Sequence, residues 1–339
     1  MRFRRGLYIA TLAAALSACG ASSAHRPTST QTTRRTYVSV RTPAPPGPQA
    51  LITDETQNQL LVADLPSGHV AHRVPLPPDP EDIAATGDGG IVVVVSARAG
   101  KVTMLDRRTL RPIKTFGGFD QPHIVAISPD REYAYVTDDA RGTLTVIRLS
   151  DMNVTSRIQV GMGAHHLTFS PDERRVWVGL GERAQIITIL SARDLGHPRV
   201  VGHFAPGFPA HDLSFSPDGR RVWVTSATSR DVTVFDARSR RVAFRVPAGP
   251  PPQHLAFQGR YAYITSGYGG IIEKVNAASG RIIMRANAPY GSFELAARDG
   301  YVATSSLLRG TLAVYSPGLR LLRVSKLAPA TREVAISRP

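Results

Sequence analysis

The chain has 339 residues, of which 42% are hydrophobic and 20% charged, and its formal net charge at pH 7 is +15. Such a composition is ordinary for a folded soluble protein. A single cysteine, Cys19, excludes an intrachain disulfide and any cysteine-based zinc site, and a chain of this length buries a core large enough to do without either. Lysine occurs only at Lys101, Lys114, Lys274 and Lys326, so the positive charge is carried almost wholly by arginine. A basic surface of this kind favours anionic partners such as lipid headgroups, acidic envelope polymers or nucleic acid.

Residues 1–18 read as a secretory signal peptide. Arg2, Arg4 and Arg5 are followed by an apolar run from Leu7 to Leu16 and by small residues. The run is too short to span a bilayer as a stable helix. Its ending, Leu16-Ser17-Ala18-Cys19, resembles the bacterial lipobox. That resemblance implies that Cys19 is lipidated through its sulfur and anchors an exported protein to the membrane. Residues 19–49 are rich in Ser, Thr, Pro and Gln and contain no acidic residue. Such a stretch buries too little apolar surface to offset its ordering entropy, so a flexible tether is expected. Its arginines, Arg26, Arg34, Arg35 and Arg41, suit an anionic membrane surface.

From residue 50 to 339 one phrase recurs. "PHIVAISPDREYAYVT", "HHLTFSPDERRVWVG" and "HDLSFSPDGRRVWVT" each read as strand, tight turn and strand. The turn aspartates Asp88, Asp130, Asp172 and Asp218 are spaced by 42, 42 and 46 residues. A period in the low forties is that of one four-stranded propeller blade. Proline presets the turn and Asp and Gly suit its later positions. Ile91 to Ser96, "IVVVVS", is too apolar for a half-exposed sheet and fits a blade covered on both faces. Helical periodicity with capping signals is essentially absent.

The span accommodates roughly seven such units. The first, beginning "ALITDETQNQLLVAD", lacks an innermost strand, and "ATREVAIS" at Ala330 to Ser337 is a strand without partners. The two deficits predict one all-β domain, a seven-bladed β-propeller of four-stranded antiparallel blades closed by the C-terminal strand. Closure removes free sheet edges. "SPDREYAYVTDDARGTLTVI" and "SPDGRRVWVTSATSRDVTVFD" resemble the YVTN family of seven-bladed propeller repeats. That resemblance covers nearly the whole mature chain. It implies the architecture and a secreted or surface location, and it leaves the function open.

Two columns precede the inner strands. Five positions before the aligned serine stand Glu81, His123, His165, His211 and Gln253. Four positions before it stand Asp82, Ile124, His166, Asp212 and His254, and the degenerate last units continue this column as Glu294 and Glu333. Five of the chain's ten histidines fall in these columns. Equivalent positions of successive blades form a ring, so these residues are expected to meet at one mouth of the central channel. Imidazoles with carboxylates suit a divalent metal, for which His123, His166, Asp212 and His254 are the candidate ligands. They equally suit general acid–base chemistry. The same columns also fit plain repeat grammar, each His bonding a neighbouring blade's backbone. Ile124 interrupts the column. His165 and His166 face the channel together only if the strand begins after them, since neighbours on a strand point opposite ways.

No nucleotide-binding loop, nucleophile elbow, H-E-x-x-H or haem-attachment motif is present in the sequence. Trp177 and Trp223 hold matching places in their strands and read as blade packing. Arg174-Arg175 and Arg220-Arg221 read as solvated hairpin residues, and no nucleic-acid partner is expected. The function expected is a lipid-anchored, extracytoplasmic binding or scaffold module for a protein, peptide or envelope polymer at the channel face. The alternative is a metal-dependent hydrolase, lactonase or lyase that uses the ring.

Overall fold

The structure is a computed structural model. It describes residues 47–86, 90–181, 184–226, 228–249 and 251–339. The predicted signal peptide, Cys19, all but the end of the tether and the turn aspartate Asp88 lie outside the described residues. The described chain forms 28 strands, numbered here in chain order, in seven four-stranded antiparallel sheets. This is the expected seven-bladed β-propeller.

Each blade runs outward from its inner strand. Six inner strands are β4 (Pro80–Ala85), β8 (Pro122–Ile127), β12 (Leu167–Phe169), β16 (Leu213–Phe215), β20 (Leu255–Gln258) and β24 (Ser292–Arg298). The seventh is β28 (Val334–Ser337), which pairs antiparallel with β1 (Gln49–Asp54). The last strand of the chain thus completes the first blade, as the reciprocal deficit predicted.

Each repeated "SPD" locks its own turn. Ser128 Oγ donates to Asp130 Oδ1 at 2.5 Å and accepts from the Tyr133 amide at 3.0 Å. The same pattern joins Ser170 to Asp172 and Ser216 to Asp218. The residue after the aspartate takes the left-handed conformation: Gly219 at φ 67°, but Arg131 at 65° and Glu173 at 59° in the other copies. The Ser–Asp hydrogen bonds therefore hold a backbone shape that glycine alone would adopt without strain.

Seven apolar clusters cement the ring, one between each pair of adjacent blades. The one that closes it joins Ala50, Ile52 and Leu61 of the first blade to Leu312 and Val314 of the last. "IVVVVS" is strand β5, and Val92 to Val95 are fully buried, as sandwiching by neighbours requires. Trp177 and Trp223 are buried among Phe204, Phe215, Phe244 and Phe257, and neither indole N–H has a partner. Both are packing residues. Arg221 is only partly solvated, since its guanidinium lies over Phe244 at 4.7 Å and donates to the Ala278 carbonyl. Every blade carries a bulge between its third and fourth strands at the equivalent place, from Val62/Ala63 to Val314/Tyr315. The bulges strengthen the twist of the outer strands.

Candidate functional site

The inner strands all begin at one end of the channel, so their leading residues converge there. They line a cavity of about 420 Å³. Glu81, Asp82, His123, His165, His166, His211, His254, Glu294 and Glu333 all face it. Asp212 does not. Its carboxylate accepts the Leu255 amide at 3.0 Å and lies behind two imidazoles, 3.5 Å from His166 Nδ1 and 4.0 Å from His254 Nδ1. Asp82 is bound in the same way, accepting from the amides of Val125 at 2.6 Å and Ile83 at 2.8 Å. These two aspartates tie one blade's inner strand to the next. That is the repeat-grammar role, filled by carboxylates rather than by histidines.

His165 and His166 both reach the cavity because the inner strand opens on a bulge: the His165 amide donates to the Gly179 carbonyl and the Gly179 amide to the His166 carbonyl, each at 2.9 Å, so two residues oppose one. Ile124 lines the wall without breaking the ring. His123 and His165 stack with ring centroids 3.8 Å apart and planes 13° apart. His166 stands at the centre of the group, its ring 4.9 Å from His165, 5.3 Å from His211 and 4.8 Å from His254. Nε2 of His211 and Nε2 of His254 are 3.2 Å apart. Two triads, His123/His165/His166 and His166/His211/His254, each bring three ligand atoms within 4.8 Å of one another.

Carboxylates orient two of these rings. Glu81 Oε2 is 2.9 Å from His123 Nδ1, and Glu294 Oε2 is 2.9 Å from His254 Nδ1. Each contact leaves Nε2 for the cavity, the arrangement that positions metal-ligating imidazoles in proteins. Arg332 spans Glu81 Oε1 at 2.8 Å and Glu55 Oε2 at 3.2 Å. It stands immediately before Glu333, in the position that extends the first column, and the degeneracy of the last repeat hid it. Gln253 and Phe293 continue that column on the cavity wall.

Hydroxyls on the second strands hold the ring from behind. Thr53, Thr225, Thr265 and Ser305 donate to the carbonyls of Glu81, Gln253, Phe293 and Arg332, each one blade onward. The threonines that close "VWVT" and "YIT" are therefore part of the ring's support.

Burial sets the protonation states. It holds His165 and His166 far below the usual imidazole range, and neighbouring imidazoles add to the effect. Burial pushes His211 down to about 3, His254 adding to it. All three are neutral and available as ligands. Burial also disfavours the cation on His254, but Glu294, Asp212 and Asp82 outweigh it and raise this pKa. Among the acids, burial lifts Asp82 to about 7 against its two amide donors. Burial also raises Asp212, and Glu333 is raised well above the carboxylate range by burial and then by Glu294 and Asp82. Glu333 keeps its proton and shares it with Glu294. Burial opposes ionisation of Glu294 as well, yet His254 holds it below the usual range.

A family model described as the cytochrome D1 heme domain matches residues 86–204, about a third of the chain. None of the curated proteins matches the sequence. Solved structures share the fold. A functionally unknown protein from Desulfotomaculum acetoxidans superimposes with a TM-score of 0.75 at 15% identity, over 86% of this chain and 99% of that one. The Kuenenia stuttgartiensis hydrazine synthase does so at 0.69 and 18% identity, over 85% and 99%. The dihydro-heme d1 dehydrogenase NirN, in complex with DHE, does so at 0.64 and 15% identity, over 87% and 76%. Likeness at these identities defines the class of the molecule, a seven-bladed β-propeller, and does not assign an activity.

Proposed function

We propose that this chain is an exported, lipid-anchored propeller of the YVTN type that binds a divalent transition-metal ion at its channel mouth. The observation that carries the reading is the neutral His166/His211 pair meeting His254, whose Nδ1 is fixed by Glu294. Imidazole donors suit zinc, copper or nickel. Zinc ligands about 2.0–2.1 Å from the metal stand about 3.3 Å apart in a tetrahedral site, close to the 3.2 Å between Nε2 of His211 and His254.

Binding is favoured over hydrolysis because the carboxylates at the mouth are already engaged. Asp82 accepts backbone amides, Glu81 is paired with His123 and Arg332, and Glu294 is held by His254 and by Glu333. Exposed Met162, Tyr268, Tyr290 and Leu308, on connections near the inner-strand starts, offer an envelope protein or peptide an apolar rim.

The family model and NirN raise haem d1 as a ligand, and the mouth does not suit it. A haem's own carboxylates would face the ionised Glu81 and Glu294, while Arg332 is already paired with two glutamates. No step through a haem is drawn.

Two measurements test the reading. The purified chain should take up one equivalent of Zn(II) in a competition titration against a chromophoric chelator; a chain that takes up no zinc, copper or nickel would refute the ion site. The Cys19→Ser variant should move from the detergent phase to the aqueous phase on phase partition. An unchanged distribution would refute the lipid anchor.

A further inference from the structure

The two histidine triads are not independent. Both use His166, whose Nδ1 lies 3.5 Å from Asp212 and so leaves Nε2 as the one ligand atom for either. One nitrogen lone pair cannot serve two ions at once. Accepting that the mouth is an ion site, we infer that it holds a single ion in either of two overlapping positions, an outer one on His123/His165/His166 and an inner one on His166/His211/His254, and that the ion passes between them without leaving His166.

Three observations support this. First, the positions differ in depth along the strands. The outer one takes His123 and His165 from the first column and only His166 from the second, which lies one residue further along the inner strands, whereas the inner one takes His211 from the first column and the buried His166 and His254 from the second. Second, each position has its own orienting carboxylate, Glu81 on His123 and Glu294 on His254, both at 2.9 Å. A histidine that served only to cap a strand would need no such partner, and second-shell carboxylates of this kind accompany metal ligands. Third, the rings form an unbroken path. His123 stacks on His165, and the His165 ring lies 4.9 Å from His166 and 5.6 Å from His211. Moving inward exchanges two ligands while the third stays bound. The ion is therefore never returned to water on the way, which lowers the barrier to exchange at a buried site.

The two positions separate by kinetics and affinity. The probe is Zn(II), with uptake and release followed by stopped flow against a chromophoric chelator. Thermal melts of each apo variant verify that the fold is intact. The wild-type chain should bind one ion. His123→Gln should slow both uptake and release by about tenfold or more and leave the equilibrium affinity little changed, because the outer position is a way station. His211→Gln should weaken affinity by about a hundredfold, at the upper end of the ten- to hundredfold range for losing a mere supporting partner. It should still bind one ion, and adding His165→Gln should abolish that residue of binding. His166→Gln alone should lose both positions. Two ions per wild-type chain would overturn the proposal. So would a His123→Gln variant with unaltered rates, or a His211/His165 double variant no weaker than His211→Gln. A wild-type chain that binds no ion would instead remove the reading on which the proposal rests.

Discussion

Glu294→Gln should weaken ion binding by about ten- to a hundredfold without unfolding the propeller. In the proposed site Glu294 acts through His254 rather than as a ligand. It holds Nδ1 of His254 at 2.9 Å, and its charge keeps that ring oriented and basic. Glutamine preserves the shape, its one carbonyl oxygen can still accept from Nδ1 and its amide can donate to Glu333, so the fold is kept while the charge is lost. His254→Ala should cost more, since it removes a ligand and leaves Glu294 buried beside Glu333 without its cation. Competition titration with Zn(II) reads the affinity, and thermal denaturation of the apo protein separates it from stability. An affinity unchanged in both variants would take His254 out of the ligand set and leave its contact with Glu294 as a packing device.

Removing residues 334–339 should prevent stable folding. Val334 and Ile336 are 2% and 4% exposed and pack in the cluster that joins the first blade to the last. Burial of each contributes about 1.5–3 kcal/mol. The strand pairs with Gln49, Ala50, Leu51 and Ile52, and its backbone hydrogen bonds add about 0.5–1.5 kcal/mol each. Arg107, 2% exposed, donates to Ser337 Oγ and to Gln49, so deletion also strips a buried guanidinium of a partner. The total is on the order of 5–10 kcal/mol, comparable with the whole stability of an ordinary domain at roughly 5–15 kcal/mol. The bared edge of β1 would then recruit other chains. Ile336→Ala is the graded version, with a loss of about 2–5 kcal/mol, read as a lowered midpoint in urea. A truncated chain that stays monomeric and melts like the wild type would show that the ring does not depend on its closing strand.

Both predictions concern residues that were visible in the sequence to different degrees. The closing strand was legible because a propeller blade is a local hydrogen-bonding programme: a unit missing its inner strand and a strand missing its partners can be matched without knowing any coordinate. The histidine columns were legible for the same reason, since a ring of equivalent positions follows from the period. The roles within the columns were not. Asp212 and Asp82 stand in the same column, yet one lies behind imidazoles and the other on the cavity wall, and both spend their oxygens on the next blade's amides. Arg332 escaped notice because the last repeat has lost the phrase that marks the others.

The sequence by itself therefore determined the blade, the number of blades, the closing of the ring and most of the side chains gathered at one mouth. Periodicity and turn chemistry are properties of neighbours in the chain, and they survive in one dimension. Only the tertiary structure decided which of those side chains face the cavity. That depends on how each inner strand begins, as at the bulge where His165 and His166 both oppose Gly179 and face inward together. It depends also on hydrogen bonds between residues some forty positions apart, such as Asp212 to Leu255 and His123 to Glu81. The pairing of Glu294 with His254 and Glu333 likewise arises from desolvation and charge in a space that the whole ring encloses, and no single repeat contains it.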